Sequence, residues 1–496
     1  MASQTRNRVK TNAYFDSVAL MRIAASLNAR PEVAMASLMM GTPANQELLR
    51  EAGLLVDEGM AAGPNDLVIA VSAEEALLDP LLAEAEAGLE SQAPATGESE
   101  QARPRTLEQA VGANLALIST PGRYAAAEAL KALKLGMHVF LFSDNVPPDE
   151  ELLLKEEAGR RGLLVMGPDC GTAIVNGVPL GFANAVRRGD IGIVGASGTG
   201  SQEIACLVDR AGAGISQLFG VGGHDLSEMI GGRSMLAALD ALAADPATRV
   251  IVLVSKPSAP AVAAAVLERA AHAGKPVVVN FLGAEVVKAD NIHPAATLED
   301  AAALAAALSL GAPVVQAFDV PEPTRLAARL TAGRSAIRAL FSGGTFAYEA
   351  QLLLGEVATS AGRWVPGQPI TFPAGNLVLD LGDDEYTVGR PHPMIDPTLR
   401  VDFLRAALAA PDTAVVLLDV VLGTGSAADP AGALAPALRE TAGPVVVAFV
   451  CGTPTDRQGL ESQEAVLREV GVVLAPSSTA AIRLAGAVVA ALGAAV

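Results

Sequence analysis

Aromatic side chains are nearly missing from this sequence: Phe, Trp and Tyr together make up 3% of 496 residues. Its core must therefore be built from Ala, Val and Leu, which suits parallel sheets packed between alanine-rich helices. Cysteine is as scarce. Cys170, Cys206 and Cys451 are too few and too scattered for a disulfide framework or a zinc site, so no metal is expected. Basic charge is short, with 35 Lys and Arg against 54 Asp and Glu and a formal net charge of −19. No run of cations could neutralise a row of phosphates, which excludes nucleic acid as a partner. No apolar run reaches membrane-spanning length without Gly, Pro or charge, and the opening Met-Ala-Ser-Gln-Thr-Arg holds no signal-peptide apolar stretch. The expectation is a cytoplasmic protein with no membrane partner. The length implies about three domains of ordinary size.

Glycine and small hydroxyl residues are placed with more purpose. At 190–205 an apolar strand, Ile191 to Val194, runs into Gly195, Ser197, Gly198, Thr199, Gly200 and Ser201, with a helix expected to begin near Ser201. Small residues leave backbone N–H groups bare at a helix N-terminus, where the dipole adds partial positive charge. This is a socket for a phosphate or carboxylate. A second copy lies at 340–349, with Ser342, Gly343, Gly344 and Thr345 in the same place. Two such turns predict two anion-binding helix ends in one chain. The alternative reading of each is a tight turn with a Ser or Thr cap.

Alternating apolar strands and helical stretches give an α/β fold throughout. Residues 1–90 read as a small ferredoxin-like or ACT-like unit, with strands at Arg8–Tyr14, Glu32–Met40 and Asp66–Val71, a helix over 17–28 capped by Asp16 or Ser17, and a long acidic helix over 73–89. Residues 91–106 have few large apolar side chains and read as a linker. Strand–helix alternation then predicts Rossmann- or flavodoxin-like parallel sheets over 107–186, 187–325 and 326–496. The last two look like a diverged repeat: each opens on a Ser-Gly-Thr turn, and each later carries a Pro-Val-Val-Val strand, at Pro276 and at Pro444.

Four phrases carry a likeness to a known family. They are Met166-Gly-Pro-Asp-Cys-Gly171, Gly192-Ile-Val-Gly-Ala-Ser-Gly-Thr199, Gly220-Val-Gly-Gly-His224 and Asp245-Pro-Ala-Thr-Arg-Val-Ile-Val-Leu-Val254. With them the middle of the chain resembles the α subunit of succinyl-CoA synthetase, which implies a CoA-binding-like domain over 107–186 and a ligase-like domain over 187–325, and 326–496 is similar to the CoA-ligase domain of the partner β subunit. Pro391-His-Pro-Met-Ile-Asp396 and Val450-Cys-Gly-Thr-Pro-Thr-Asp456, with the N-terminal unit, extend the likeness over nearly the whole chain to the FdrA family. The departures are informative. The synthetases relay phosphate on a histidine in a Gly-His-Ala-Gly loop; here that stretch is Phe281-Leu-Gly-Ala-Glu-Val-Val-Lys288, and the nearest histidine, His293, sits in a different phrase. Their histidine-orienting glutamate is replaced by Lys256, turning that spot into one that pairs an anion. No ATP-grasp domain, P-loop or opening CoA-binding glycine loop is present.

The FdrA resemblance implies one component of oxamate carbamoyltransferase in purine breakdown. That activity moves a carbamoyl group between oxalurate and phosphate, yielding carbamoyl phosphate and oxamate, with other subunits as partners and small anions as substrates. No cofactor is assigned; carbamoyl phosphate and phosphate are substrates, and CoA is left open by the synthetase likeness. A homo-oligomer is expected. The alternatives are an NDP-forming acyl-CoA synthetase and a non-catalytic metabolite-binding protein.

Candidate catalytic residues are Lys256, His224 and His392. Lys256 ends an apolar strand, where ligands bind in open parallel sheets; the alternative is a solvated lysine. His224 follows a Gly-Val-Gly-Gly turn, as an acid or base or as a helix-cap residue. Candidate substrate-binding residues are Asp169, Cys170 and Thr172 in the Gly-Pro-Asp-Cys loop, Gly222 and Gly223, Arg390 beside His392, and Thr453. Cys170 is read as a shape residue of its loop. Asp419 and Asp456 sit at strand ends, Asp456 either facing the ligand or capping a helix from Arg457. His138 and His272 have no polar company in the sequence and read as structural.

Overall fold

The computed structural model describes residues 4–13, 15, 17–91, 106–314, 321–362, 364, 368–387, 390–439 and 443–493. They fall into two compact units, one drawn from Met1–Arg105 and Asp383–Leu399, the other from Thr106–Gly382 and Arg400–Val496.

The first unit opens with β1 (Gln4–Lys10), α1 (Ser17–Asn28), β2 (Val33–Met40), α2 (Pro43–Glu51), α3 (Asp57–Met60), β3 (Leu67–Ala73) and α4 (Glu75–Ser91). The sheet order is β1-β3-β2, with β3 antiparallel to both neighbours. Side chains alternate along β3 as the pleat requires. Leu67, Ile69, Val71 and Ala73 join α1 and α4 in one core, while Val68 and Ala70 join Leu49 and Leu54 in another. This is the expected ferredoxin-like layering. The first strand begins earlier than the expected Arg8–Tyr14, pairing Gln4 with Ala73 through Lys10 with Leu67. Its alternate cations obscure it in sequence because they are held by acids of α4: Arg6 by Asp79, Arg8 by Glu86 and Lys10 by Glu90. Charge on an edge strand also discourages pairing with another chain. Asp16, Tyr14 and all but the ends of the 91–106 linker lie outside the described residues; at its start, Ser91 ends α4.

The second unit begins with a small parallel sheet, β4 (Leu115–Ile118), α5 (Gly122–Lys134), β5 (His138–Leu141), α6 (Pro148–Arg161) and β6 (Val165–Met166), in the order β4-β5-β6. A hairpin follows, β7 (Thr172–Val175) and β8 (Val178–Gly181). It turns on Asn176 and Gly177, both at positive φ, as a two-residue primed turn demands.

Two α/β halves complete the unit. The first is β9 (Arg188–Ala196), α7 (Gly198–Arg210), β10 (Ile215–Gly220), α8 (Arg233–Ala244), β11 (Val250–Ser255), α9 (Pro260–Ala271), β12 (Val277–Phe281), β13 (Ile292–Pro294) and α10 (Leu298–Leu310). After α11 (Pro323–Ala327) comes the second: β14 (Ala336–Phe341), α12 (Gly344–Leu354), β15 (Leu377–Asp380), then α13 (Asp384–Thr387, within the first unit), α14 (Thr398–Ala409), β16 (Thr413–Val421), α15 (Pro430–Arg439), β17 (Val445–Cys451), α16 (Leu460–Glu469), β18 (Val473–Leu474) and α17 (Ser478–Gly493). The first sheet runs β13-β12-β11-β9-β10, extended by the hairpin through β7 and β8; the second runs β15-β14-β16-β17-β18. Counted within each half, both orders are 2-1-3-4-5, the flavodoxin-like winding, and the strands of each half are mutually parallel. The repeat expected from sequence is thus a repeat of topology. In both halves the Ser-Gly-Thr turn joins the first strand to the first helix, at the point where strand order reverses. Ligands bind at that crevice in open α/β sheets.

A site where two helix ends meet

The backbone of β9 is buried through Ala196, and Ser197 turns it with φ −160° into α7. The helix begins at Gly198, three residues before the expected Ser201, because the Ser201 amide already donates to the Ser197 carbonyl at 3.1 Å. The Ser201 hydroxyl donates to the same carbonyl at 2.6 Å. The glycines are therefore the first turn of the helix rather than a loop leading to it. In the second half Gly343 stands as N-cap and α12 begins at Gly344.

The two ends touch. Ser197 Oγ and Thr345 Oγ1 share a hydrogen bond of 2.7 Å. A Cβ on Gly343 would lie 2.7 Å from Thr199 Oγ1, and one on Gly200 would be 3.0 Å from Thr345 Cγ2. No side chain caps either helix end; the N-cap serine reaches across to the other helix instead. Gly198 is exposed and Gly344 is partly so, while Ser197, Thr199, Gly200, Gly343 and Thr345 are buried. The first turns of the two helices thus meet where Gly198 reaches the surface, an opening at which uncapped helix ends favour an anion.

Three side chains border that opening. Thr172 Oγ1 is buried without a hydrogen-bond partner and lies 3.7 Å from the place of a Cβ on Gly198. Lys256 Nζ lies 3.6 Å from the place of a Cβ on Gly344, and Asp380 Oδ2 fills that place itself. Asp380 was not legible as a site residue, because only the pairing of β14 with β15 brings Asp380 level with Phe341 beside the turn. Ser342, expected to bind anion, stands behind the opening. Its amide donates to Asp419 at 3.0 Å and its hydroxyl donates at 2.7 Å, so both donors are committed. Asp419 in turn pairs with buried Arg400 at 2.7 Å.

The Gly-Pro-Asp-Cys loop links this opening to the Gly-Val-Gly-Gly-His turn. Cys170 is buried, donating toward Gly220 O at 3.3 Å, and burial pushes its thiol up to about 12. A thiol held protonated is a packing group rather than a nucleophile. Asp169 is exposed at φ +53°. Gly222, at φ +86°, admits no side chain because Pro168 O occupies the space, whereas Gly223 has open surroundings. His224 is exposed, with Nδ1 3.7 Å from Glu151 Oε2. Behind it Lys155 is buried between Glu151 and Asp225, each at 2.7 Å, and Asp225 accepts the Ser234 and Met235 amides at the start of α8. This buried cluster fixes the turn that displays His224.

The other expected residues have partners of their own. Thr453 is buried and its hydroxyl donates to Ala185 O at 2.5 Å. Asp456 does not cap a helix from Arg457, since α16 begins at Leu460; it accepts from the Ala185 amide, Asn184 Nδ2 and the Thr453 amide. Arg390 and His392 belong to the first unit. Burial pulls the Arg390 guanidinium below its ordinary value, and His392 Nδ1 accepts the Met394 amide at 3.2 Å. His138 Nδ1, expected to have no polar company, accepts the Leu164 amide at 3.0 Å. No grouping of three or more metal-capable side chains occurs among the described residues, and no helix there is long and apolar enough to cross a membrane.

The halves are locked by exchanged acids. Glu203 of α7 accepts the Ser478 amide, the first of α17, at 2.9 Å. Glu349 of α12 accepts the Leu298 amide, the first of α10, at 3.0 Å, and also the hydroxyls of Ser478 and Thr479. Glu299 accepts from Ser477. Each tip helix therefore carries a buried carboxylate that caps the last helix of the opposite half. Burial raises Glu203 to about 7 and also raises Glu349; the Arg210 charge and the Ser478 amide pull Glu203 down, while Glu349 adds to the rise. A raised carboxyl favours its neutral form in the fold, so its contribution is full below the ordinary carboxylate pKa and is lost as pH rises through about 7. Stability is expected to fall across that window by at most about 3 kcal/mol, and the melting temperature with it. Thermal melts at stepped pH check this, with Glu203→Gln flattening the slope; an unchanged slope in that variant would rule Glu203 out as its source.

Comparison with known proteins gives three family matches. Residues 1–105 match the family described as "AllF, heavy metal-associated domain", residues 186–283 the "CoA binding domain", and residues 340–488 "CoA-ligase". The first of these segments contains no cysteine or histidine. The uncharacterized protein YahF of Escherichia coli K12 is 42% identical, covering 95% of this chain and 96% of that one. The α-2 subunit of the ADP-forming succinate–CoA ligase of Trichomonas vaginalis is 33% identical over 29% of this chain and 47% of that protein; the chain thus spans about half the length of this relative. Among solved structures, the dinucleotide-forming acetyl-coenzyme A synthetase 1 of Ca. Korarchaeum cryptofilum aligns over 77% of this chain and 83% of its own, at 18% identity and a TM-score of 0.33.

Proposed function

We infer a function from one premise: this chain belongs to the family of YahF, an FdrA-like family of succinyl-CoA synthetase-like proteins. On that premise we propose that it is one component of an oxamate carbamoyltransferase in purine breakdown. Oxalurate and phosphate would be its substrates, carbamoyl phosphate and oxamate its products, and further subunits its partners. The observation that carries this reading is the meeting of two uncapped helix ends beside Lys256, in a chain whose 281–288 stretch has no histidine to hold phosphate covalently.

The reaction balances without an enzyme-bound intermediate. A hydrogen-phosphate oxygen attacks the carbamoyl carbon of oxalurate, and the carbonyl electrons move onto oxygen. Collapse breaks the carbon–nitrogen bond, and the leaving amide nitrogen takes the phosphate's proton. Amides of Gly198, Thr199 and Gly200 hold the phosphate, with Lys256 as its counter-charge. Holding phosphate and acceptor in one place turns the attack into a reaction between bound groups.

CoA, which the ligase likeness implies, is a poor fit to the small sheet expected to hold it, and the "CoA binding domain" match falls beyond that sheet, over 186–283. Gly122, in the first turn of α5, is packed against the carbonyl oxygens of Asp144 and Asn145, and the first turn of α6 carries Asp149, Glu150 and Glu151. Carbonyls and carboxylates there oppose a pyrophosphate. No step is routed through CoA. The second reading, an NDP-forming acyl-CoA synthetase, is favoured by the matches to the CoA-binding and CoA-ligase families.

The test incubates the full chain, alone and with the proteins encoded beside it, with carbamoyl phosphate and oxamate. Release of phosphate with formation of oxalurate is expected. Absence of both in every combination removes the proposal, and CoA-dependent exchange with ATP or GTP would replace it with the second reading.

A further inference from the structure

The two helix ends are alike in sequence and unlike in surroundings. At the α7 end Gly198 is exposed, no side chain caps the helix, and the buried Thr172 hydroxyl, 1% exposed for the residue, has no hydrogen-bond partner. That hydroxyl is the nearest heavy atom to the position of a Cβ on Gly198, at 3.7 Å. This end has donors and an unused hydroxyl, and takes an anion. At the α12 end a carboxylate is already in place. Asp380 Oδ2 occupies the space over Gly344, while Oδ1 accepts the Gly382 amide at 3.0 Å. Lys256 Nζ stands 3.6 Å from the same point, beside that carboxylate.

A fixed carboxylate repels a second ligand anion and accepts a ligand N–H. The 2.7 Å bond between Ser197 and Thr345 keeps the two ends close enough for one small molecule to meet both. We propose that Asp380 is the specificity residue of this site: it accepts the N–H of a primary amide whose acid group lies at the α7 end. The ligand class is a small anion carrying a carboxamide or carbamoyl group beside its acid. This rests on the anion-binding reading above and adds to it which end is read by which residue.

The experiment is isothermal titration of the full chain with inorganic phosphate, oxamate and oxalate. Oxamate and oxalate differ only in an amide against a second carboxylate. Wild type is expected to bind oxamate at least about tenfold more tightly than oxalate. Asp380→Asn, with its fold checked by circular dichroism, is expected to bring the two within about threefold, because the amide side chain no longer repels oxalate. Equal or tighter oxalate binding to wild type overturns the assignment without any variant, as does an unchanged ratio in the variant. Phosphate binding without preference for oxamate removes Asp380 alone. Failure of all three ligands to bind removes the anion site itself and the assignment with it.

Discussion

Asp419→Ala is expected to destabilise the second unit by about 3–5 kcal/mol. The carboxylate is fully buried and holds Arg400 at 2.7 Å, with the Arg400 side chain only 5% exposed. Removing it leaves a buried guanidinium whose other acceptors are the Leu340 and Asp419 carbonyls. It also releases the amide and hydroxyl of Ser342, which anchor the turn leading into α12. The loss should appear as a lower urea midpoint at an unchanged slope. The double variant Asp419→Leu with Arg400→Met should regain most of it, since an uncompensated charge costs more than an apolar pair of similar shape. A single variant within about 1 kcal/mol of wild type would show that the pair is not what holds this strand end.

Lys256→Met should weaken phosphate binding by about 10- to 100-fold, the size of a lost charge-assisted hydrogen bond. The argument is positional. Lys256 follows the last residue of β11, beside the crevice where strand order reverses, and its ammonium stands over the α12 end. A chain with net charge −19 repels small anions at long range, so a site for one needs a local cation. Lys256→Arg should retain part of the affinity, and binding of phosphate to wild type should fall with salt. The melting temperature should change little in both variants, because the lysine is only partly buried. Undiminished phosphate binding by the methionine variant would return Lys256 to an ordinary solvated role.

The sequence made the strands of the second unit readable because each is a short run of Val, Ile, Leu or Ala between glycine or proline breaks, and these runs are buried on both faces. The duplication was readable too, since both tip turns keep small residues where the other helix presses against them. The α7 start was misplaced by three residues because glycines look like loop in a sequence, although here a Cβ at Gly200 would strike Thr345 from the opposite half. The 172–181 hairpin was missed, yet Asn176-Gly177 between Thr172–Val175 and Val178–Gly181 is a strong hairpin signal. Asp380 and the assignment of 383–399 to the first unit depend on residues brought together only by the tertiary fold, and no local period or spacing marks them. The exchanged glutamates do share a spacing, four residues after Thr199 and after Thr345, but nothing local tells which helix each one caps.

The crossing of Glu203 to α17 and of Glu349 to α10 makes the tandem something other than two domains placed side by side. Neither copy is a self-sufficient descendant of its duplication. A change at either acid is felt in the partner copy, at the far end of its chain, so the two copies cannot drift independently. Such a gene tolerates divergence of strands and loops while keeping these two positions in step.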